Sequence, residues 1–169
     1  MPVQRLKEFL DKNNIRYVVI THSRAYTAAG IAAITHIPGN EIAKTVMVRI
    51  DGKLAMAVIP ASRHLDLDAL RTGLRATSVS LVTEKEFENS FPDCELGAMP
   101  PFGVLYDLPV YLDEKLSKDL EIAFNAGSHR ELVRLAYKDF AHLQHPQVMQ
   151  IATSSAAERR EEQRVSSIL

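Results

Sequence analysis

Cysteine is nearly absent from this chain of 169 residues, and its scarcity excludes two common features of small proteins. Cys94 is the only one, so no disulfide can form within the chain and no zinc site can be built from cysteines. Long apolar runs are also missing, since none approaches the roughly 18 residues needed to span a bilayer. Neither sign of charge dominates. The net charge of −1 argues against a strongly basic, sequence-independent nucleic-acid binder.

Several familiar cofactor and catalytic motifs are absent as well. The chain contains neither G-x-G-x-x-G nor G-x-x-x-x-G-K-[ST], so nothing favours a dinucleotide or P-loop site. No G-x-S-x-G turn is present, no motif marks Cys94 as a nucleophile, and the neighbours Ser128 and His129 rarely adopt triad geometry. His142 and His145 have ligand-like spacing but no third ligand near them. Covalent and metal-assisted catalysis are therefore not favoured, and no cofactor is expected.

The composition that remains is ordinary for a soluble globular protein, with 46% hydrophobic and 24% charged residues. We expect one domain over residues 1–152, followed by a charged tail over residues 153–169 that lies outside the core. The first residues lack the continuous apolar segment of a secretory signal, so the cytoplasm is the expected compartment.

The spacing of apolar residues predicts an α+β domain with a largely antiparallel or mixed sheet. The hairpin is the clearest element, because Asp51-Gly52 is a favoured two-residue turn between two apolar runs. Thr83 begins the S/T-x-x-E pattern of a capping box, and Thr27 is a candidate N-cap. Helices are predicted over residues 2–12, 28–34, 65–74, 84–89 and 137–143, and strands over 17–20, 44–50, 53–59, 79–82, 104–106, 110–112 and 120–125. Residues 131–135 fit either a strand or a helix.

A loop over residues 97–103, with the sequence GAMPPFG, separates apolar segments. Two adjacent prolines remove two N–H donors and fix two φ angles, so neither a helix nor a central strand fits here. The stiff loop either turns a corner between buried strands or holds backbone N–H groups against an anion or a developing oxyanion. The residues alone favour the corner.

Two further side chains are candidates for chemistry, each with a plain structural alternative. Lys44 begins an apolar strand, where it is either a solvated lysine or a cation held at the edge of the core to bind a carbonyl, carboxylate or phosphate. His129 lies in a turn beside a buried strand, where most histidines are structural or exposed.

Three stretches together resemble the YbaK/prolyl-tRNA-synthetase-associated editing family. They are residues 41–46 (EIAKTV), 97–103 (GAMPPFG) and 125–129 (NAGSH), in the family's order and at similar separations. The resemblance covers about residues 1–145 and implies a barrel-like mixed sheet surrounded by helices. It also implies a trans-editing deacylase that removes a wrong amino acid, often Ala or Cys, from tRNA(Pro).

The resemblance assigns roles to particular residues. Lys44 would engage the 3′ end of the tRNA, and Gly97 and Pro101 would be the ends of a G-x-x-x-P loop that holds the scissile carbonyl and the attacking water. His129 favours the alanine-specific branch. The substrate-binding residues would be Tyr26, Ala29, Ile31, Ala98, Met99, Pro100, Phe102, Asn125, Gly127 and Ser128.

The implied chemistry is hydrolysis of an activated ester, which needs a placed water and a stabilised oxyanion. No general base is evident, and the family is thought to use a ribose hydroxyl of the substrate. The expected partners are the 3′ end of aminoacyl-tRNA and a synthetase. Two alternatives stay open: a deacylase for Cys- or Ser-tRNA, and a non-catalytic module that binds a nucleotide or a synthetase. A basic rim for tRNA would comprise Arg63, Arg71, Arg75, Arg130, Arg134 and Lys138.

Overall fold

The computed structural model describes residues 3–23 and 28–153, and near the C-terminus residues 160, 163–165 and 167–168. Its helices are α1 Gln4–Lys12, α2 Ala28–Thr35, α3 Leu67–Leu74, α4 Glu84–Phe87, α5 Glu114–Ser117 and α6 Tyr137–Gln144. Its strands are β1 Tyr17–Thr21, β2 Ile42–Ile50, β3 Lys53–Pro60, β4 Val79–Leu81, β5 Val110–Asp113, β6 Glu121–Asn125, β7 Glu131–Ala136 and β8 Gln147–Met149. Short 3₁₀ turns occur at Gly39–Glu41 and Gly103–Leu105.

These strands form one mixed sheet in the order β1-β7-β6-β2-β3-β5-β8, with β4 paired to β2. The β1–β7, β6–β7, β2–β3 and β2–β4 pairs are antiparallel, whereas β2–β6, β3–β5 and β5–β8 are parallel. The α+β class with a mixed sheet is confirmed. Among the described strands the sheet stays open, with β1 and β8 at its ends, so the barrel-like description applies only loosely.

The central strand β2 changes partner along its length, and this organises the fold around its first residues. Ile42 and Ala43 pair with β6, whereas Val48 to Ile50 pair with β4. The switch leaves Lys44 and Thr45 just beyond the β6 pairing, where a side chain can face open space beside the sheet.

Local sequence accounts for the hairpin and for two helix starts. Asp51 and Gly52 both have positive φ, at 48° and 84°, as the favoured two-residue turn requires. The side chain of Asp66 accepts a hydrogen bond from Ala69 N at 3.0 Å and caps α3, and the capping box of Thr83 and Glu86 begins α4. The predicted two-residue turn and the predicted capping box are confirmed. Thr27 lies outside the described residues.

The core forms around Phe102, which is fully buried. This residue belongs to the loop over residues 97–103, which we call the Gly/Pro loop. Its ring makes edge-on contacts with Phe9, Phe124 and Phe140, with ring centroids 5.8, 5.7 and 5.1 Å apart. The loop is therefore fixed to α1, β6 and α6 by one aromatic side chain.

One predicted strand is wrong, and one ambiguity is settled. Residues 104–106 are not extended, because Leu108 N donates to Gly103 O at 3.0 Å and the chain doubles back into the Gly103–Leu105 turn. A Cβ at Gly103 would collide with the carbonyl oxygen of Leu108, which explains the glycine. Residues 131–135 form strand β7. Helix α5 and strand β8 were not predicted from the sequence.

Candidate active site

A small cavity of about 60 Å³ opens at the start of β2 and brings together residues from distant parts of the chain. The predicted residues Ile31, Lys44, Gly97, Met99 and Asn125 all line it. Further lining residues are Ile42, Ala43, Thr45 and Ala61, none of which was predicted. Thr45 follows Lys44 directly on β2. Ala61 directly follows β3, the strand that pairs with β2.

The ammonium group of Lys44 is held at one side of this cavity. Its Nζ donates a hydrogen bond to the carbonyl oxygen of Arg63 at 3.0 Å. The side chain is half-buried, and this burial lowers the pKa of Lys44 from its ordinary value because desolvation disfavours the charged form. A cation in this position can bind a phosphate or polarise a carbonyl oxygen of a ligand.

Gly97 faces the cavity from the Gly/Pro loop with an exposed backbone and φ of +83°. Residues with a side chain rarely adopt this conformation. A Cβ placed on Gly97 would lie 3.6 Å from Cε1 of His129, so the glycine packs directly against the imidazole ring.

Four hydrogen bonds join residues 95–98, where the loop over residues 97–103 begins, to the turn that contains His129. Gly127 N donates to Ala98 O at 2.9 Å, and Glu95 N donates to Gly127 O at 2.8 Å. The backbone N–H of His129 donates to Oε2 of Glu95 at 3.1 Å, and Nε2 of its ring lies 2.7 Å from Leu96 O. The two predicted motifs therefore form one rigid unit, and Glu95 is a member that no motif indicated.

The side chain of Asn125 contributes a polar atom to the cavity. Its Oδ1 is buried and has no hydrogen-bond partner among the described residues. Buried amide oxygens are usually satisfied, so this unpartnered oxygen is an exception beside the cavity that Asn125 lines.

Other predicted site residues lie outside the cavity lining. Phe102 is in the core, and Ala98 and Gly127 are joined to each other by a backbone hydrogen bond. Oγ of Ser128 accepts a hydrogen bond from Arg130 N at 3.3 Å within the turn. Also absent from the lining are Pro100, Pro101 and His129. Tyr26 and the side chain of Ala29 lie outside the described residues.

The predicted basic rim is dispersed. Arg134 lines a second cavity with Glu41, Lys118 and Asp119, and its Nε lies 3.3 Å from a carboxylate oxygen of Glu121. Arg71 lies 3.8 Å from Asp68 on α3. Of the rim residues, Arg63 is the one whose backbone contacts a residue of the cavity.

The described residues include no group of three His, Cys, Asp or Glu side chains arranged to hold a metal ion. No helix among them is both long and apolar enough to cross a membrane.

The model of the aminoacyl-tRNA editing domain family matches residues 22–143 of this chain. The protein therefore belongs to the aminoacyl-tRNA editing domain family, and the resemblance drawn from the three motifs is confirmed.

Among curated proteins, the chain is similar to the multifunctional Ser/Thr-tRNA deacylase ProXp-y of Escherichia coli K12. The two are 26% identical over 151 residues, which cover 86% of this chain and 90% of the relative. The same values hold for the ProXp-y protein of Escherichia coli O157:H7.

Two solved structures show the same fold. A candidate trans-editing enzyme for prolyl-tRNA synthetase superposes with a TM-score of 0.75 at 22% identity, covering 90% of this chain and 97% of the other. A hypothetical protein superposes with a TM-score of 0.79 at 18% identity, covering 89% of this chain and all of the other.

Proposed function

We propose that this protein is a trans-editing deacylase that hydrolyses the ester bond between a small mischarged amino acid and its tRNA. The observation that supports the proposal is the cavity itself, which is lined by Lys44, Gly97 and Asn125. Membership in the editing-domain family supplies the reaction class.

The proposed reaction needs no nucleophile from the protein. Water attacks the ester carbonyl carbon, the bond from that carbon to the ribose oxygen breaks, and the leaving ribose oxygen takes up a proton. Free amino acid and uncharged tRNA result. The backbone of the Gly97 loop would stabilise the oxyanion, and the neighbouring ribose hydroxyl would accept the proton of the water, as the family resemblance implies.

Lys44 would bind the 3′ end of the tRNA beside the scissile ester. Its ammonium already donates to a carbonyl oxygen, and the same group can donate to a phosphate or ester oxygen that enters the cavity. Because the site is partly desolvated, this contact is stronger than it would be in water.

The size of the cavity supports selection of a small amino acid by exclusion. Ile31, Ala43, Ala61 and Met99 supply an apolar wall that a methyl group can contact and a bulky side chain would overfill. Exclusion is needed because a methylene contributes only about 1–3 kcal/mol of binding discrimination. Alanine on tRNA(Pro) is therefore the first substrate to test.

Serine or threonine is the second candidate, because the cavity also has polar members. Asn125 and Thr45 both line the cavity, and either side chain would form a hydrogen bond with a substrate hydroxyl that reached it. The relative ProXp-y is named as a Ser/Thr-tRNA deacylase.

A panel of charged tRNAs tests the proposal. Purified protein is incubated with Ala-, Cys- and Pro-tRNA(Pro) and with Ser- and Thr-tRNA, and release of each amino acid is followed over time. We expect release of a small amino acid, abolished by Lys44→Ala. No release from any of them would contradict the deacylase assignment, and tRNA binding that persists in Lys44→Ala would favour the non-catalytic module.

Asn125→Ala identifies which small amino acid the site recognises. If a side-chain hydroxyl is recognised, we expect this variant to lose serine or threonine release by about tenfold or more and to spare alanine release. Asn89→Ala, at an exposed asparagine, is the matched control. Equal losses of release for all amino acids would show that Asn125 does not recognise the side-chain hydroxyl.

A further inference from the structure

Residues 151–153 are linked to Lys44, a residue of the cavity lining, by a chain of hydrogen bonds. The segment 151–153, which we call the C-terminal latch, runs alongside residues 63–66. Leu65 forms an antiparallel bridge with Ala152, Asp66 N donates to Ile151 O at 2.8 Å, and Thr153 N donates to His64 O at 2.8 Å. The latch therefore borders the residue whose carbonyl holds the ammonium of Lys44.

One peptide group transmits this contact. The peptide that joins Arg63 to His64 offers its carbonyl oxygen to Nζ of Lys44, and its N–H donates to Oγ1 of Thr153 at 3.2 Å. A trans peptide is planar, and its C=O and N–H point in opposite directions. Fixing the N–H therefore fixes the direction of the carbonyl, and hydrogen bonds arranged in such a chain strengthen one another.

A buried carboxylate secures the latch to the sheet. Asp113, which is only 1% exposed, ends β5, and its Oδ1 accepts hydrogen bonds from the backbone N–H groups of Ile151 and Ala152, both at 2.9 Å. The guanidinium of Arg63 adds a contact from Nη1 to Thr153 O at 3.3 Å. Thr153 thus makes three hydrogen bonds to this pair of residues: one with the Arg63–His64 peptide N–H, one with the carbonyl oxygen of His64 and one with the side chain of Arg63.

We propose that Thr153 is a positioning residue for the deacylation reaction, acting through the Arg63–His64 peptide to hold the Lys44 ammonium at the edge of the cavity. This inference rests on the proposed function for its catalytic meaning. The positioning itself is a property of the folded chain and can be measured without a substrate.

The test compares Thr153→Val with Thr153→Ser. Valine has nearly the shape of threonine but no acceptor for His64 N–H, whereas serine keeps the oxygen. The rate at which an amine-reactive reagent labels Lys44 is measured by mass spectrometry against the exposed Lys53 in the same molecule. We expect valine to raise the Lys44 rate by about fivefold, the effect of losing one ordinary hydrogen bond. Serine should match the wild type.

Kinetics separate positioning from a general loss of stability. With a charged tRNA that the wild type hydrolyses, we expect Thr153→Val to raise KM more than it lowers kcat. In a Lys44→Ala background, which is expected to be inactive, it should not weaken the binding of charged tRNA any further, since the residue through which it acts is gone. Truncation after Thr153 keeps every contact described above and is the control.

The outcomes are distinct. Unchanged Lys44 labelling in a folded Thr153→Val protein overturns the inference, as does an equal loss of tRNA binding when Thr153→Val is added to the Lys44→Ala variant. If the wild type hydrolyses none of the charged tRNAs, the proposed function fails, while labelling still decides whether Thr153 positions Lys44. If Thr153→Val does not fold, Thr153→Ala, which removes the same oxygen, is used in its place.

Discussion

Nε2 of His129 lies 2.7 Å from the carbonyl oxygen of Leu96. A carbonyl oxygen only accepts hydrogen bonds, so the ring nitrogen carries a proton in this contact. His129 is 7% exposed, its imidazole ring lies next to Gly97, and it is not one of the residues that line the cavity. We therefore expect His129 to act by fixing the loop at Gly97 and not by direct contact with the amino acid.

Replacement of His129 should therefore act through the loop. We expect His129→Ala to lower deacylation by at least about tenfold, because it removes the bond to Leu96 O and opens space beside Gly97. The bond alone is worth about 1 kcal/mol of stability. His129→Gln can donate from a similar position and should retain more activity.

The measurement is release of amino acid from charged tRNA together with thermal denaturation. His142→Ala, at an exposed histidine, is the control. Alanine release that is unchanged in His129→Ala would show that neither the loop role nor the alanine assignment based on His129 is right.

A second prediction concerns the positive φ of Gly97. Alanine at this position has room, since the nearest atom to the new Cβ would be 3.6 Å away, but it must adopt a left-handed conformation that costs about 1–2 kcal/mol. Gly52 has nearly the same φ, +84°, and no atom within 4 Å of a new Cβ. It lies in the β2–β3 turn.

Gly52→Ala is therefore a matched control for backbone strain. We expect the two variants to lose similar stability in denaturant titrations and only Gly97→Ala to lose deacylation strongly. Equal activity in the two variants would argue against a role of the Gly97 backbone in catalysis.

A third prediction follows from the pKa of Lys44, which burial lowers. Between that lowered pKa and the ordinary value of 10.5, the unfolded chain binds more protons than the folded one, so the stability contribution of this group rises with pH. Below the lowered pKa the lysine is charged in both states and the desolvation cost is fully present. Lys44→Met removes that cost.

We accordingly expect Lys44→Met to be more stable than the wild type at pH 7 and nearly inactive. Its advantage should shrink as the pH rises through the lowered pKa. Melting temperatures at pH 7 and pH 10 measure this, with Lys53→Met as the exposed control. A Lys44→Met protein less stable than the wild type at pH 7 would contradict the desolvation argument.

The parts of the fold that the sequence predicted well are those decided by neighbouring residues. The Asp51-Gly52 turn and the capping box at Thr83 depend on backbone conformation and on side chains within a few positions. The motifs that meet at the cavity were also predictable, since Lys44, Gly97 and Asn125 come from the three stretches that resemble the editing family.

The parts that escaped prediction depend on backbone groups brought together from distant positions. Every residue has a carbonyl, so nothing in the sequence identifies Arg63 O as the partner of Lys44 or Leu96 O as the partner of His129. The same reason explains Thr153, which was assigned to the tail but bonds to His64. The domain boundary after residue 152 stays a prediction.

Cys94 gives the last prediction, because an editing site without a side-chain nucleophile should not depend on the only thiol of the chain. Burial raises the pKa of Cys94 to about 11, and its Sγ lies 3.4 Å from the hydroxyl of Tyr106. At pH 8 the group is a neutral thiol, and the thiolate forms only as the pH approaches 11. We expect Cys94→Ala to retain deacylation while losing some stability from the vacated volume. Thiol reagents should label the native protein slowly at pH 8 and rapidly after denaturation. Rapid native labelling that abolishes activity would place the thiol at the reacting centre and contradict hydrolysis by a backbone-held water.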